Sequence, residues 1–182
     1  QVRNSCYNGI SNDSIQKIKK IIDFKHFVGL HLYITNIKNN KKLIRKELIN
    51  QVKTLELAIG KKIDRISIHR PSKWILQQKK DLFQPYINTY SDLYFEFGEN
   101  PKTIKYYADS NHTWNYGYPI NKFDKYKKFQ ILLHPDEWSK SGADQRKNLK
   151  NLIIENKLKF IRDINNEYKT FKLFFKKQWK KI

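Results

Sequence analysis

The sequence holds a single cysteine, Cys6. An internal disulfide framework and a cysteine-rich zinc module are both excluded. There is no low-complexity tract, internal repeat or linker, and the 39% apolar content is too high for a disordered chain. No uncharged apolar run approaches the roughly 18 residues of a membrane span. No signal peptide is expected, since Gln1-Val2-Arg3 already reads as folded sequence. The expectation is a cytoplasmic bacterial protein with no membrane span, built on one well-cored domain.

Acidic residues are few as well. Asp plus Glu is 17 against 37 Lys plus Arg, a net charge of +20. Such a balance suits a polyanion, either nucleic acid or an anionic membrane surface. The make-up of the excess argues otherwise. Lys outnumbers Arg 31 to 6, beside 23 Ile and 17 Asn. Chains selected to grip phosphates lean on the planar fork of Arg. This bias fits an AT-rich bacterial genome and a solvated lysine surface. A basic nucleic-acid-binding protein remains the alternative, but any such binding should be weak, non-specific and steeply salt-dependent.

Helical and strand-like segments alternate, which predicts an α/β fold. Residues 13–24 place Ile15, Ile18 and Ile22 on one helical face, with Asn12 or Asp13 as cap. Residues 27–35 alternate: Val28, Leu30, Leu32 and Ile34 point one way, His31 and Tyr33 the other. Residues 41–59 carry Ile44, Leu48, Val52, Leu55 and Ile59 at helical spacing, closed by Gly60. Further strands fit 65–69, 88–90, 94–97, 105–109 and 129–134, and a weak helix fits 73–83. From Ser141 to Ile182 there is no proline, and Leu149, Leu152, Ile153, Phe160, Ile164, Phe171, Phe174 and Phe175 recur at roughly helical spacing. The predicted organisation is a domain over 1–140 and an amphipathic helical extension over 141–182, packed on the domain with a solvated basic face.

His31 lies in or late in one predicted strand. His69-Arg70 ends the next, Asp109 another, and His134 a fourth. Functional residues of parallel α/β folds gather at C-terminal strand ends, so these four positions are expected to converge at one mouth.

The segments Lys25-His26-Phe27-Val28-Gly29-Leu30-His31, Ser67-Ile68-His69-Arg70-Pro71-Ser72, Asp109-Ser110-Asn111-His112-Thr113-Trp114 and Leu132-Leu133-His134-Pro135 occur in this order. Together they resemble the polysaccharide deacetylase family of metal-dependent carbohydrate esterases. The resemblance covers roughly residues 1–140 and looks like an atypical branch found among bacterial surface-glycan genes. It implies a deformed, here partial, (β/α) barrel with a C-terminal helical extension. It implies a hydrolase cutting the C–N amide bond of N-acetylated sugars, with carbohydrate as substrate and Zn²⁺ or another divalent metal as cofactor. On the family's pattern His31 is a metal ligand, Arg70 holds a carboxylate base, Asp109 orients His134, and His134 is the catalytic acid. Trp114, Tyr116 and Tyr118 offer stacking surfaces for sugar.

Two departures shape the expectation. The family's second metal histidine falls at Thr35 here, so His69 at the adjacent strand end takes that role. The family's aspartate-bearing first strand has no counterpart before His31, because Asp13 and Asp23 fall in a helical segment. Gln1–Asn8 resembles the second strand instead. The 182 residues alone are therefore expected to bind zinc weakly and to turn over poorly, or to be a non-catalytic glycan-binding relative.

Overall fold

A computed structural model describes residues 1–3, 8–78, 82–91, 104–122, 125–135, 138, 142 and 144–168. The backbone groups into two compact units, Gln1–Lys105 and Tyr106–Ile182, and each is described by itself. The expected boundary at 140/141 falls inside the second unit. Among the described residues no helix is long and apolar enough to cross a membrane.

The first unit opens with α1 (Asn12–Asp23), β1 (Leu30–Leu32), α2 (Lys41–Ile59), β2 (Arg65–Ile68), α3 (Lys73–Gln77) and β3 (Ile87–Asn88). The cap of α1 is Ser11, whose side chain accepts from the Ser14 amide, and not Asn12 or Asp13 as expected. Both of those lie within the helix, where their side chains cannot reach back to the first turn's free N–H groups. Its far end closes with the His26 amide on the Ile21 carbonyl and the Lys25 amide on that of Ile22. This is the Schellman pattern, and it puts Lys25 in the left-handed region at φ 66. Glycine normally fills that place.

β1, β2 and β3 form a parallel sheet in that order, with His31 opposite Ser67 and Leu32 opposite Ile68. Gly29 precedes β1 because a Cβ there would lie 2.8 Å from the Arg65 carbonyl oxygen. The alternation expected for 27–35 survives in a shorter strand: Leu30, Leu32 and Ile34 are buried, while His31 and Tyr33 are half-buried. α2 covers the sheet with Ile44, Leu48, Val52, Leu55 and Ile59, as its spacing predicts, and Gly60 at φ 70 ends it. Each of these fully buried aliphatic side chains contributes roughly 1.5–3 kcal/mol relative to exposure.

One polar residue joins them. Gln51 is fully buried; its Oε1 accepts from the Tyr33 amide at 3.1 Å and its Nε2 donates to the Tyr33 carbonyl at 2.6 Å and to Glu47 at 2.8 Å. A side-chain amide thus pairs both backbone groups of Tyr33, which lies just after β1.

The second unit holds β4 (Lys105–Ala108), paired with β5 (Phe129–Leu132), two 3₁₀ turns (Ser110–His112 and Pro119–Lys122) and α4 (Gln145–Glu167). Asp109 and His134 lie just past their strands rather than within them. α4 is capped by Asp144, as its sequence allows. None of its described residues is buried: Ile161, Ile164 and Asn165 are half-buried, while Leu149, Leu152, Ile153, Ile154, Leu158 and Phe160 are exposed. The strand expected at 94–97 and the phenylalanines at 171, 174 and 175 lie outside the described residues. No closed barrel is assigned among the described strands; they form the parallel β1–β2–β3 sheet and the β4–β5 pair.

Candidate functional site

The first group of site residues arises from the β1–β2 register. Period two turns Leu30 and Leu32 into the core and His31 to the other face; on β2 the same rule turns Ile66 and Ile68 inward and Ser67 outward, with His69 following. Parallel pairing sets His31 beside Ser67, and His31 Nδ1 lies 2.7 Å from the Ser67 hydroxyl. His31 Nε2 is left facing His69 Nδ1 at 3.4 Å, the rings perpendicular with centroids 5.4 Å apart. Tyr33 stacks on His69. The Gln1 side-chain amide reaches the same His69 Nδ1 at 2.8 Å. Because that amide nitrogen donates, neutral His69 carries its own proton on Nε2.

The two histidines expected as metal ligands are therefore brought together. Thr35, at the family's second histidine position, is exposed past the end of β1. Arg70 is different: it is exposed, sits at φ 46, and makes no ion pair among the described residues. The carboxylate base it was expected to hold does not meet it there. No group of three or more His, Cys, Asp or Glu suited to a metal occurs among the described residues.

The second group forms around Asp109, which is 3% exposed. The Asp109 amide donates to the Leu132 carbonyl at 3.3 Å, tying the end of β4 to β5. Its carboxylate accepts the His134 amide at 3.0 and 2.9 Å, His134 Nδ1 at 2.7 Å and Trp138 Nε1 at 2.7 Å. Burial pushes this carboxyl up, but the Trp138 and His134 hydrogen bonds outweigh it and hold Asp109 below the ordinary carboxylate value. The pairing fixes the Nδ1–H tautomer of His134 and leaves Nε2 on a side chain that is 40% exposed.

Asn115 returns to Ala108 through an isolated bridge, and this turn carries Trp114 back. Trp114 meets Trp138 at 5.9 Å and Tyr118 at 5.7 Å, both edge-on. Tyr116, at φ 70, packs instead on Tyr106. Of the three aromatics expected at the sugar, Trp114 and Tyr118 join the cluster at Trp138 and Tyr116 stands with a different partner. Asp109 and His134 are brought together as expected. Of the four residues expected at one mouth, His31 and His69 belong to the first unit and Asp109 and His134 to the second.

Ser67, Gln1 and Trp138 went unassigned in the sequence reading. Ser67 was detectable as the residue two before His69 on the same strand face. Trp138 stands in the Leu-Leu-His-Pro-x-x-Trp string, but its indole bond to Asp109 follows only from the folded turn. No protein-family model, curated protein or solved structure matches the chain.

Proposed function

We propose that the chain is a metal-dependent carbohydrate deacetylase-like hydrolase acting on the C–N amide bond of N-acetylated sugars. The observation that carries this reading is the 3.4 Å between His31 Nε2 and His69 Nδ1. Two zinc–imidazole bonds of about 2.0–2.1 Å at a tetrahedral angle separate their nitrogens by about 3.3–3.4 Å. His31 and His69 would hold the ion once the Gln1 amide gives up the His69 Nδ1 lone pair, with Ser67 orienting the His31 ring. Bound zinc supplies an activated water and a polarised carbonyl. The partial (β/α) barrel that the resemblance implies is part of the same proposal and rests on that resemblance.

On the resemblance His134 is the acid. Protonated His134 gives its Nε2 proton to the amide nitrogen as the C–N bond breaks, and Asp109 keeps the Nδ1 proton in place. One water is consumed: its oxygen ends in acetate, the amine leaves with the proton from His134, and the proton the water gives up restores His134. Trp114 and Tyr118 offer the sugar ring apolar faces. Arg70 has no part in this scheme.

Zinc titration and acetate release from N-acetylated chitooligosaccharides test it. His31→Ala and His69→Ala should each abolish zinc binding. His134→Gln should stop acetate release while leaving zinc binding intact. Zinc binding that survives both histidine variants refutes the ligand pair and the reading with it. One observation favours a second reading, a non-catalytic glycan-binding relative: only two ligands stand together among the described residues. Oligosaccharide binding without acetate release would select it.

A further inference from the structure

The three most exposed large apolar side chains among the described residues are Leu57, Phe27 and Phe24, at 86, 77 and 75%. All adjoin one basic rim. Phe27 lines an open groove of 610 Å³ floored by Ile22, Ile59 and Ile63, with Lys25, Lys61 and Lys62 at its mouth. Leu57 shares a neighbouring hollow with Lys53, Lys61 and Lys62. Phe24 directly precedes Lys25 at the end of α1. Two nearby acids are engaged: Asp64 is bonded to Arg65 at 2.7 and 2.8 Å, and Glu56 accepts the Ile63 amide at 2.9 Å and Lys62 at 3.3 Å; Asp23, beside Phe24, makes no ion pair among the described residues.

Apolar side chains this exposed are unfavourable in water, and lysines interleaved with them select the medium that covers them. We infer that this face docks on an anionic bilayer surface. Phe24, Phe27 and Leu57 enter the interfacial layer while Lys25, Lys53, Lys61 and Lys62 meet lipid phosphates. Single-stranded nucleic acid is disfavoured because it needs flat stacking platforms, and Leu57, the most exposed of the three, offers none. The inference does not depend on the hydrolase reading, since none of these residues belongs to that site.

The test is flotation of the full chain with vesicles of phosphatidylcholine alone or with a third of the lipid as phosphatidylglycerol. The chain should float only with the anionic vesicles, and part of that binding should persist at raised salt. Phe24→Ser/Phe27→Ser/Leu57→Ser should lower the salt-resistant partition about tenfold or more. These side chains are mostly in solvent, so the variant should keep its circular dichroism. A charge pair gives an independent reading: Lys61→Glu/Lys62→Glu should weaken binding more than the equal change Lys157→Glu/Lys159→Glu on α4. Three results overturn the proposal: unchanged partition of the triple serine variant, a loss of binding in Phe160→Ser on α4, or an equal loss in the Lys61/Lys62 and Lys157/Lys159 variants.

Discussion

Asp109→Asn keeps the shape of the side chain and removes its charge. The carboxylate accepts from the His134 amide on both oxygens, from His134 Nδ1 and from Trp138 Nε1. An amide has one acceptor oxygen and an NH₂. An indole can only donate, so the oxygen must stay with Trp138 and the NH₂ must face His134 Nδ1. Imidazole can adapt by moving its proton to Nε2. Bonds from three donors to a charged acceptor, lost outright, would cost about 5–9 kcal/mol. The contacts instead persist in neutral form, so the expected loss is about 1–3 kcal/mol. In a chain of this size that lowers Tm by about 3–10 °C. Thermal unfolding of the full chain measures the first quantity, and nitrogen NMR of His134 the second. Nδ1 should change from protonated to unprotonated, and acetate release should fall about a thousandfold or more through the wrong tautomer. A variant that keeps its Nδ1 proton and melts within a degree of the parent refutes this account of the Asp109 cluster.

Three further outcomes are expected. Gln51→Leu leaves the Tyr33 amide and carbonyl without partners beside a buried aliphatic side chain, and should cost about 2–4 kcal/mol in urea unfolding followed by helix signal; a change under half a kilocalorie contradicts the clamp. Lys25→Gly removes a left-handed non-glycine residue from the end of α1 and should stabilise the first unit by about 0.5–1 kcal/mol, read as an upward shift in the same urea midpoint. Asp109 binds its proton less readily folded than unfolded. Its stabilisation is therefore complete above the ordinary carboxylate value and lost as pH falls through the lower folded value. The Tm of the parent should drop along that acid arm more steeply than the Tm of Asp109→Asn.

Much of the first unit was legible because local pattern and tertiary role agree there. The apolar spacing of α2, its Gly60 stop, and the alternation through Leu30, Leu32 and Ile34 all match their buried faces. Gln51 sits on the same buried stripe and gave no sign of its role, since its partners on Tyr33 are set by a contact eighteen residues away in sequence. His31 and His69 could be named from strand ends, yet their separation depends on the β1–β2 register, which no local pattern states. The Asp109–His134 bond was expected from the resemblance. The three-donor crowding on Asp109, with Trp138 among them, was not, because it needs a turn whose geometry is non-local.

The Gln51 clamp bears on what this sheet does when chains meet. Among the described residues β1 is the outer strand of its sheet. The Leu32 carbonyl turns toward β2, where it accepts the His69 amide, so the peptide groups of Tyr33 turn the other way, toward the open side. An open side of that kind is a template on which a foreign strand can add and seed aggregation. Gln51 fills the place with its own amide and presents no onward ladder, since its remaining donor is spent on Glu47. A helix side chain here acts as a stopper for strand addition, and Gln51→Leu should therefore turn a monomeric edge into a sticky one before it unfolds the chain.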